Sequence, residues 1–139
     1  MIVVDTNVLS EAMLERPEPR VIEWLQRQSE FEAWTTAVTK AEIFYGIAIM
    51  PAGRKRTALE TAADHVLNRT FAGRILPFED EAASHYAQIA AARRARGRPI
   101  KPLDTQIAAI TRLHGATLAT RDIGDFEDCG IRLVNPWEA

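Results

Sequence analysis

Hydrophobic positions along this chain follow two alternating rhythms. Ile2-Val3-Val4 is a short, uniformly apolar, β-branched run, the pattern of a central parallel strand buried on both faces. It ends at Asp5. Thr6 and Asn7 then offer capping side chains and residues 8–13 have helical composition, which predicts a strand-to-helix junction at Asp5. Beyond Pro17 and Pro19, the residues Val21, Ile22, Trp24 and Leu25 stripe a short helix, and residues 31–35 read as a second strand. Thr39 and Glu42 have capping-box spacing ahead of the apolar run 43–50, so a helix is predicted to begin there. Residues 51–56 read as a basic turn.

Downstream, residues 58–71 form an amphipathic pattern that stops near Gly73, followed by a brief strand over 74–77. From Asp80 an alanine-rich helix carries Ala83, Tyr86, Ala87 and Ile89 to a cationic end, and Gly97 and Pro99 terminate it. Residues 104–113 predict another helix with Gly115 as its stop, and the last strands are 116–119 and 131–134. Strands alternating with helices predict an α/β fold with a mainly parallel sheet, joined by right-handed helical crossovers.

Composition narrows the function. With 139 residues the chain suits one domain spanning 1–139, and its 47% hydrophobic and 26% charged residues belong to ordinary globular proteins. No apolar run reaches the ~18 residues of a membrane span and the opening residues lack secretory-signal character, so no membrane partner and a cytoplasmic location are expected. The single cysteine, Cys129, excludes an internal disulfide and a zinc cluster. A net charge of −2 means that any contact with nucleic acid is local or metal-assisted rather than a general attraction to phosphate.

Four acids stand at element ends. Asp5 follows the first strand and Asp122 follows the fourth by three residues, where open parallel sheets place ligands; Glu42 and Asp104 stand at predicted helix starts. Taken singly each has a structural explanation: a cap for Asp5 or Asp104, a capping box for Glu42, and a turn with Gly124 for Asp122. Taken together they carry a cost. At ~4 Å and an effective dielectric of ~20, each ionised pair repels by about 4 kcal/mol, so a converged cluster must protonate or bind a cation. Oxygen-only donors favour Mg2+, with Mn2+ as the alternative, and such ions also bind phosphates. Cleavage of a phosphodiester is the chemistry this points to.

The segments Val3-Val4-Asp5-Thr6-Asn7-Val8-Leu9-Ser10, Thr39-Lys40-Ala41-Glu42-Ile43-Phe44-Tyr45-Gly46, Asp104-Thr105-Gln106-Ile107-Ala108-Ala109 and Ala119-Thr120-Arg121-Asp122 resemble those of PIN-domain ribonucleases. Length, spacing and the stretch 71–78 resemble the VapC toxin branch, FitB-like members especially. The resemblance implies a three-layer PIN-like fold with sheet order 3-2-1-4-5 and a metal-dependent endoribonuclease acting as the toxin of a type II toxin–antitoxin system. By similarity, Asp5 and Asp104 are the principal metal ligands, Glu42 and Asp122 complete the acidic pocket, and Thr6, Asn7 and Thr120 are the polar residues that support it. It further implies a cognate antitoxin of the VapB/FitA kind, a homodimer within a larger complex, and operator DNA reached only through the antitoxin. The sequence departs from the common wording at Leu103, where a small residue is frequent, and at Asp125, an additional acid able to replace or assist Asp122.

Arg93, Arg94, Arg96, Arg98 and Lys101 are candidates for guiding RNA phosphates, against the alternative of favourable charge at a helix end. Arg54, Lys55 and Arg56 read as a solvated turn. The histidines lack ligand spacing, and Ser10 has no evident His partner for hydrolase chemistry. A haloacid-dehalogenase-like phosphatase is the competing enzyme, but its second acid would stand where Asn7 does. A receiver domain would need other groups where Pro77 and Asn135 lie, and a catalytically inactive PIN-fold binding protein sits poorly with all four acids being present.

Overall fold

A computed structural model describes all 139 residues. Strand β1 (Ile2–Val4) leads into helix α1 (Thr6–Ala12), followed by α2 (Pro19–Arg27), β2 (Ala33–Thr36), α3 (Ala37–Ala48) and α4 (Arg54–Ala63). Helix α4 runs on into a π-helical segment (Asp64–Thr70), then come β3 (Ile75–Leu76), α5 (Asp80–Ala95), α6 (Pro102–Leu113), β4 (Thr117–Ala119), the short α7 (Ile123–Phe126) and β5 (Arg132–Val134).

The five strands form a parallel sheet in the order β3-β2-β1-β4-β5, as expected. Ile2 is level with both Ala33 and Thr117, so β1 is central and hydrogen-bonded on both edges. Adjacent residues of a strand point to opposite faces, and here that divides the core. Val3 joins Ile89, Ile107, Ile110, Leu118 and Phe126 under α5, α6 and α7; Val4 joins Val8, Leu9, Val21, Ile43, Ile47 and Leu67 under α1 to α4. The result is three layers with the carboxyl ends of β1 and β4 exposed along one edge.

Several boundaries differ from the sequence reading, each for a local reason. Asp5, not Thr6 or Asn7, caps α1: its carboxylate accepts the Thr6 N–H at 2.8 Å. Helix α3 begins three residues earlier than its spacing predicted, because Thr36 caps it by accepting the Thr39 N–H at 3.0 Å. Glu42 is therefore released from capping-box duty. Pro102 starts α6, placing Asp104 in the first turn, where a carboxylate suits the positive helix end. Arg54 to Arg56 are the first turn of α4 rather than a loop. Gly97 and Gly115 end α5 and α6 at φ 71° and 60°, left-handed backbone that glycine adopts without strain.

Candidate active site

The site begins with a sheet bond one residue beyond the strands. The Asp5 N–H donates to the Ala119 carbonyl at 2.9 Å, extending the β1–β4 ladder and drawing Asp5 alongside Thr120. The Thr120 hydroxyl donates to Asp5 Oδ2 at 2.8 Å while Asp5 Oδ1 holds the Thr6 N–H. Both carboxylate oxygens are thus fixed, and the side chain is only 5% exposed.

Glu42 arrives from the second turn of α3. It accepts the Thr6 hydroxyl at 2.8 Å, and Thr39 Oγ1 lies 3.0 Å from that same hydroxyl. On the other flank the Asn7 amide donates to Asp122 Oδ2 at 3.0 Å and to Thr120 Oγ1 at 3.3 Å, while its own oxygen accepts the Arg121 N–H at 3.2 Å. The Asp122 N–H completes the arrangement by donating to Thr120 Oγ1 at 3.1 Å. Thr6, Asn7 and Thr120 therefore each touch at least one of the acids.

Electrostatics tie Asp104 to the same cluster. Burial first of all, and then the Asp104 and Glu42 charges, raise the Asp5 carboxyl to about 6 against the hydrogen bonds from Thr120 and Thr6. The Asp104 carboxyl is also raised, by burial and then by Glu42 and Asp125, with Asp122 adding to the repulsion and Lys101 opposing it. All four predicted acids thus share one electrostatic neighbourhood, and Asp125 belongs to it. Asp104, Asp125 and Lys101 line one cleft of about 70 Å³.

None of the five acids forms an ion pair with an Arg, Lys or His side chain. The structure gathers five negative charges against the single nearby ammonium of Lys101, so a further cation is the natural complement. The donors are all oxygens, which suits a hard divalent ion. No three carboxylates are arranged to enclose an ion by themselves.

Among the cations proposed for RNA, Arg93 requires correction. It is 4% exposed, and its guanidinium donates to the carbonyls of Arg98 (2.7 Å), Asp125 (2.8 Å) and Glu127 (2.8 Å). Arg93 is a clamp inside the protein, not a surface contact. Helical spacing carried the signal: Arg93 continues the stripe of Ala82, Tyr86 and Ile89 on the buried face of α5. Arg96 and Arg98 are exposed but paired with Asp128 and Glu127, whereas Arg94 and Lys101 are exposed and form no ion pair. Cys129 is buried beside Arg93, as a small core residue should be, and burial raises its thiol.

The sequence profile of the PIN domain family matches residues 2–130. The chain is 39% identical over 138 residues to the VapC ribonuclease Y4jK of Sinorhizobium fredii, covering 99% of each chain. It is 38% identical over 137 residues to toxin FitB of Neisseria gonorrhoeae, again covering 99% of each. Among solved structures it superposes with a TM-score of 0.92 on a chain of FitAB bound to a DNA fragment, at 38% identity, covering 99% of this chain and 96% of that one.

Proposed function

The chain belongs to the PIN domain family, and on that premise we propose that it is a metal-dependent endoribonuclease, the toxin of a type II toxin–antitoxin pair. One observation supports the reading: the charges of Asp5, Glu42, Asp104 and Asp122 act on one another beside the carboxyl ends of β1 and β4, none of the four sits in an ion pair, and burial and repulsion raise Asp5 to about 6. Asp5 and Asp104 would be the direct ligands of Mg2+ or Mn2+, and Glu42 and Asp122 would act on it directly or through water. Such an ion supplies Lewis acidity toward a phosphoryl oxygen and favours deprotonation of water near neutral pH.

The chain's own residues do the positioning. Thr6 and Thr120 hold the carboxylates of Glu42 and Asp5 in one orientation, and Asn7 sets Asp122. Supporting partners of this kind fix ligand geometry before substrate arrives. Asp125 assists from the α7 side, its carbonyl held by Arg93. Arg94 and Lys101 remain candidates for RNA phosphates.

A VapB/FitA-like antitoxin, with operator DNA reached through it, follows from the likeness to FitB and to FitAB bound to DNA. Dimerisation is supported by an open groove of about 710 Å³ beside Glu42, edged by Tyr45, Phe78 and Leu103. No helix of the chain is long and apolar enough to cross a membrane.

The test is direct. Purified protein with magnesium or manganese should cut RNA and lose cleavage on chelation. Asp5→Asn and Asp104→Asn should abolish it while circular dichroism stays native. Continued cleavage by both variants would reject the site. Release of phosphate from small monoesters, without RNA cleavage, would favour a phosphatase.

A further inference from the structure

Arg121 lies between Thr120, which holds Asp5, and Asp122, and its backbone N–H is anchored by Asn7 at 3.2 Å. Its side chain is exposed and its guanidinium lies 4.9 Å from the centroid of the Trp137 ring. Stacking on an indole face fixes the plane of a guanidinium and leaves its N–H edges free. Here they are indeed free: the guanidinium donates to no oxygen of the protein and pairs with no carboxylate. The comparison within the chain is instructive. Arg74, stacked 4.9 Å from the Phe71 ring, spends its donors on the carbonyls of Ala33 and Thr70.

Trp137 is itself held. It packs against the core beneath α1 and α2, its N–H donates to Asn135 Oδ1 at 2.9 Å, and Arg20 donates to its carbonyl at 3.1 Å. The chain thus builds a rigid support for a cation one residue away from two members of the acidic pocket, then leaves that cation without a partner.

We propose that Arg121 is a substrate-binding residue that grips an RNA phosphate next to the bond being cut, with Trp137 as the positioning residue that holds its guanidinium on the α1–α2 flank of the pocket. The proposal rests on the ribonuclease reading above. A planar fork of donors with restricted motion suits the tetrahedral oxygens of a phosphate and loses little freedom on binding. Lys101 lines a cleft with Asp104, a second cation near the acids.

The test is steady-state cleavage of a single-stranded RNA oligonucleotide in magnesium at several salt concentrations. Arg121→Ala should raise KM about tenfold, the loss of a charge-assisted hydrogen bond, with kcat within about twofold of the unaltered chain. Its plot of log(kcat/KM) against log salt should flatten by about 0.7, one phosphate contact on a single strand. Arg69→Ala removes the same charge from the exposed face of the π-helical segment and should change neither quantity. Trp137→Leu should raise KM less than Arg121→Ala, and the double variant should match Arg121→Ala alone, because Trp137 acts through the arginine. Arg121→Gln, which keeps most of the side-chain stem, makes the same measurement if the alanine variant folds poorly. Unchanged KM and salt slope in both Arg121 variants would overturn the proposal while leaving the ribonuclease reading intact. An unaltered chain that cuts no RNA would overturn both.

Discussion

The Thr6 hydroxyl donates to Glu42 at 2.8 Å, joining the first residue of α1 to the second turn of α3 across 36 positions of sequence. A single side chain thereby sets the angle at which Glu42 stands beside α1. Thr6→Val keeps the shape and removes the donor, leaving a partly buried carboxylate short of a partner. The expected cost is about 1 kcal/mol of stability in urea melts and about a tenfold rise in the magnesium concentration needed for half-maximal cleavage. Unchanged magnesium dependence would show that Glu42 holds its place without Thr6.

Asp5 makes stability depend on pH in an unusual direction. Its carboxyl titrates at about 6 in the fold against 3.8 for the free side chain, so between those values the native state binds more protons than the unfolded one. Stability therefore falls as pH rises from about 4 to 6, by up to about 3 kcal/mol. Asp5→Asn removes that penalty. In metal-free buffer at pH 7 the inactive variant should unfold at a higher temperature than the unaltered chain, with the difference vanishing below pH 4. Calorimetry across this range checks it.

Metal affinity follows from the same group. An ion that binds the ionised carboxylate competes with a proton, so magnesium should bind progressively more weakly as pH falls through 6 and should release protons when it binds near that pH. Titration calorimetry in buffers of different ionisation heat measures the proton count directly. A count of zero at pH 6 would mean that Asp5 is not a ligand.

Arg93 predicts a stability effect unlike that of its neighbours. Arg93→Ala strands the carbonyls of Arg98, Asp125 and Glu127 and should cost about 3 kcal/mol in denaturant, whereas Arg94→Ala should cost less than about 0.5 kcal/mol. Arg93→Lys should not restore stability, since an ammonium cannot reproduce the planar fork.

Asp125 and Asp122 both bear on Asp104. Among the charges acting on Asp104, Asp125 ranks ahead of Asp122, although Asp122 is the one held by Asn7. Asp125→Asn should therefore reduce cleavage at least as much as Asp122→Asn. The double variant should fall well below either, as expected of two groups that substitute for one another. Single-turnover rates at saturating magnesium separate these outcomes.

Much of this was legible before any coordinates. The β-branched run ending in Asp5 predicts the central strand, and the resemblance to PIN-domain ribonucleases implies the sheet order that the structure has. What escaped the sequence were choices between equivalent local signals. Thr36 and Thr39 are both sound caps, and the chain uses Thr36 because β2 extends to it. The π-helical segment follows α4 without a break in hydrophobic pattern, so periodicity read 58–71 as one helix. Composition alone makes Arg93 a surface charge, because three hydrogen bonds to carbonyls leave no mark on it. Arg121 was passed over because its partner, Trp137, lies on the far side of β5 in the sequence.

The strand order has a consequence for how the protein comes into being. While β1 has only β2 beside it, its other edge is bare, and Thr120 and Asp122 cannot reach Asp5 until β4 has been made and laid alongside. A nascent chain therefore lacks a finished pocket until β4 and the residues just beyond it have been made.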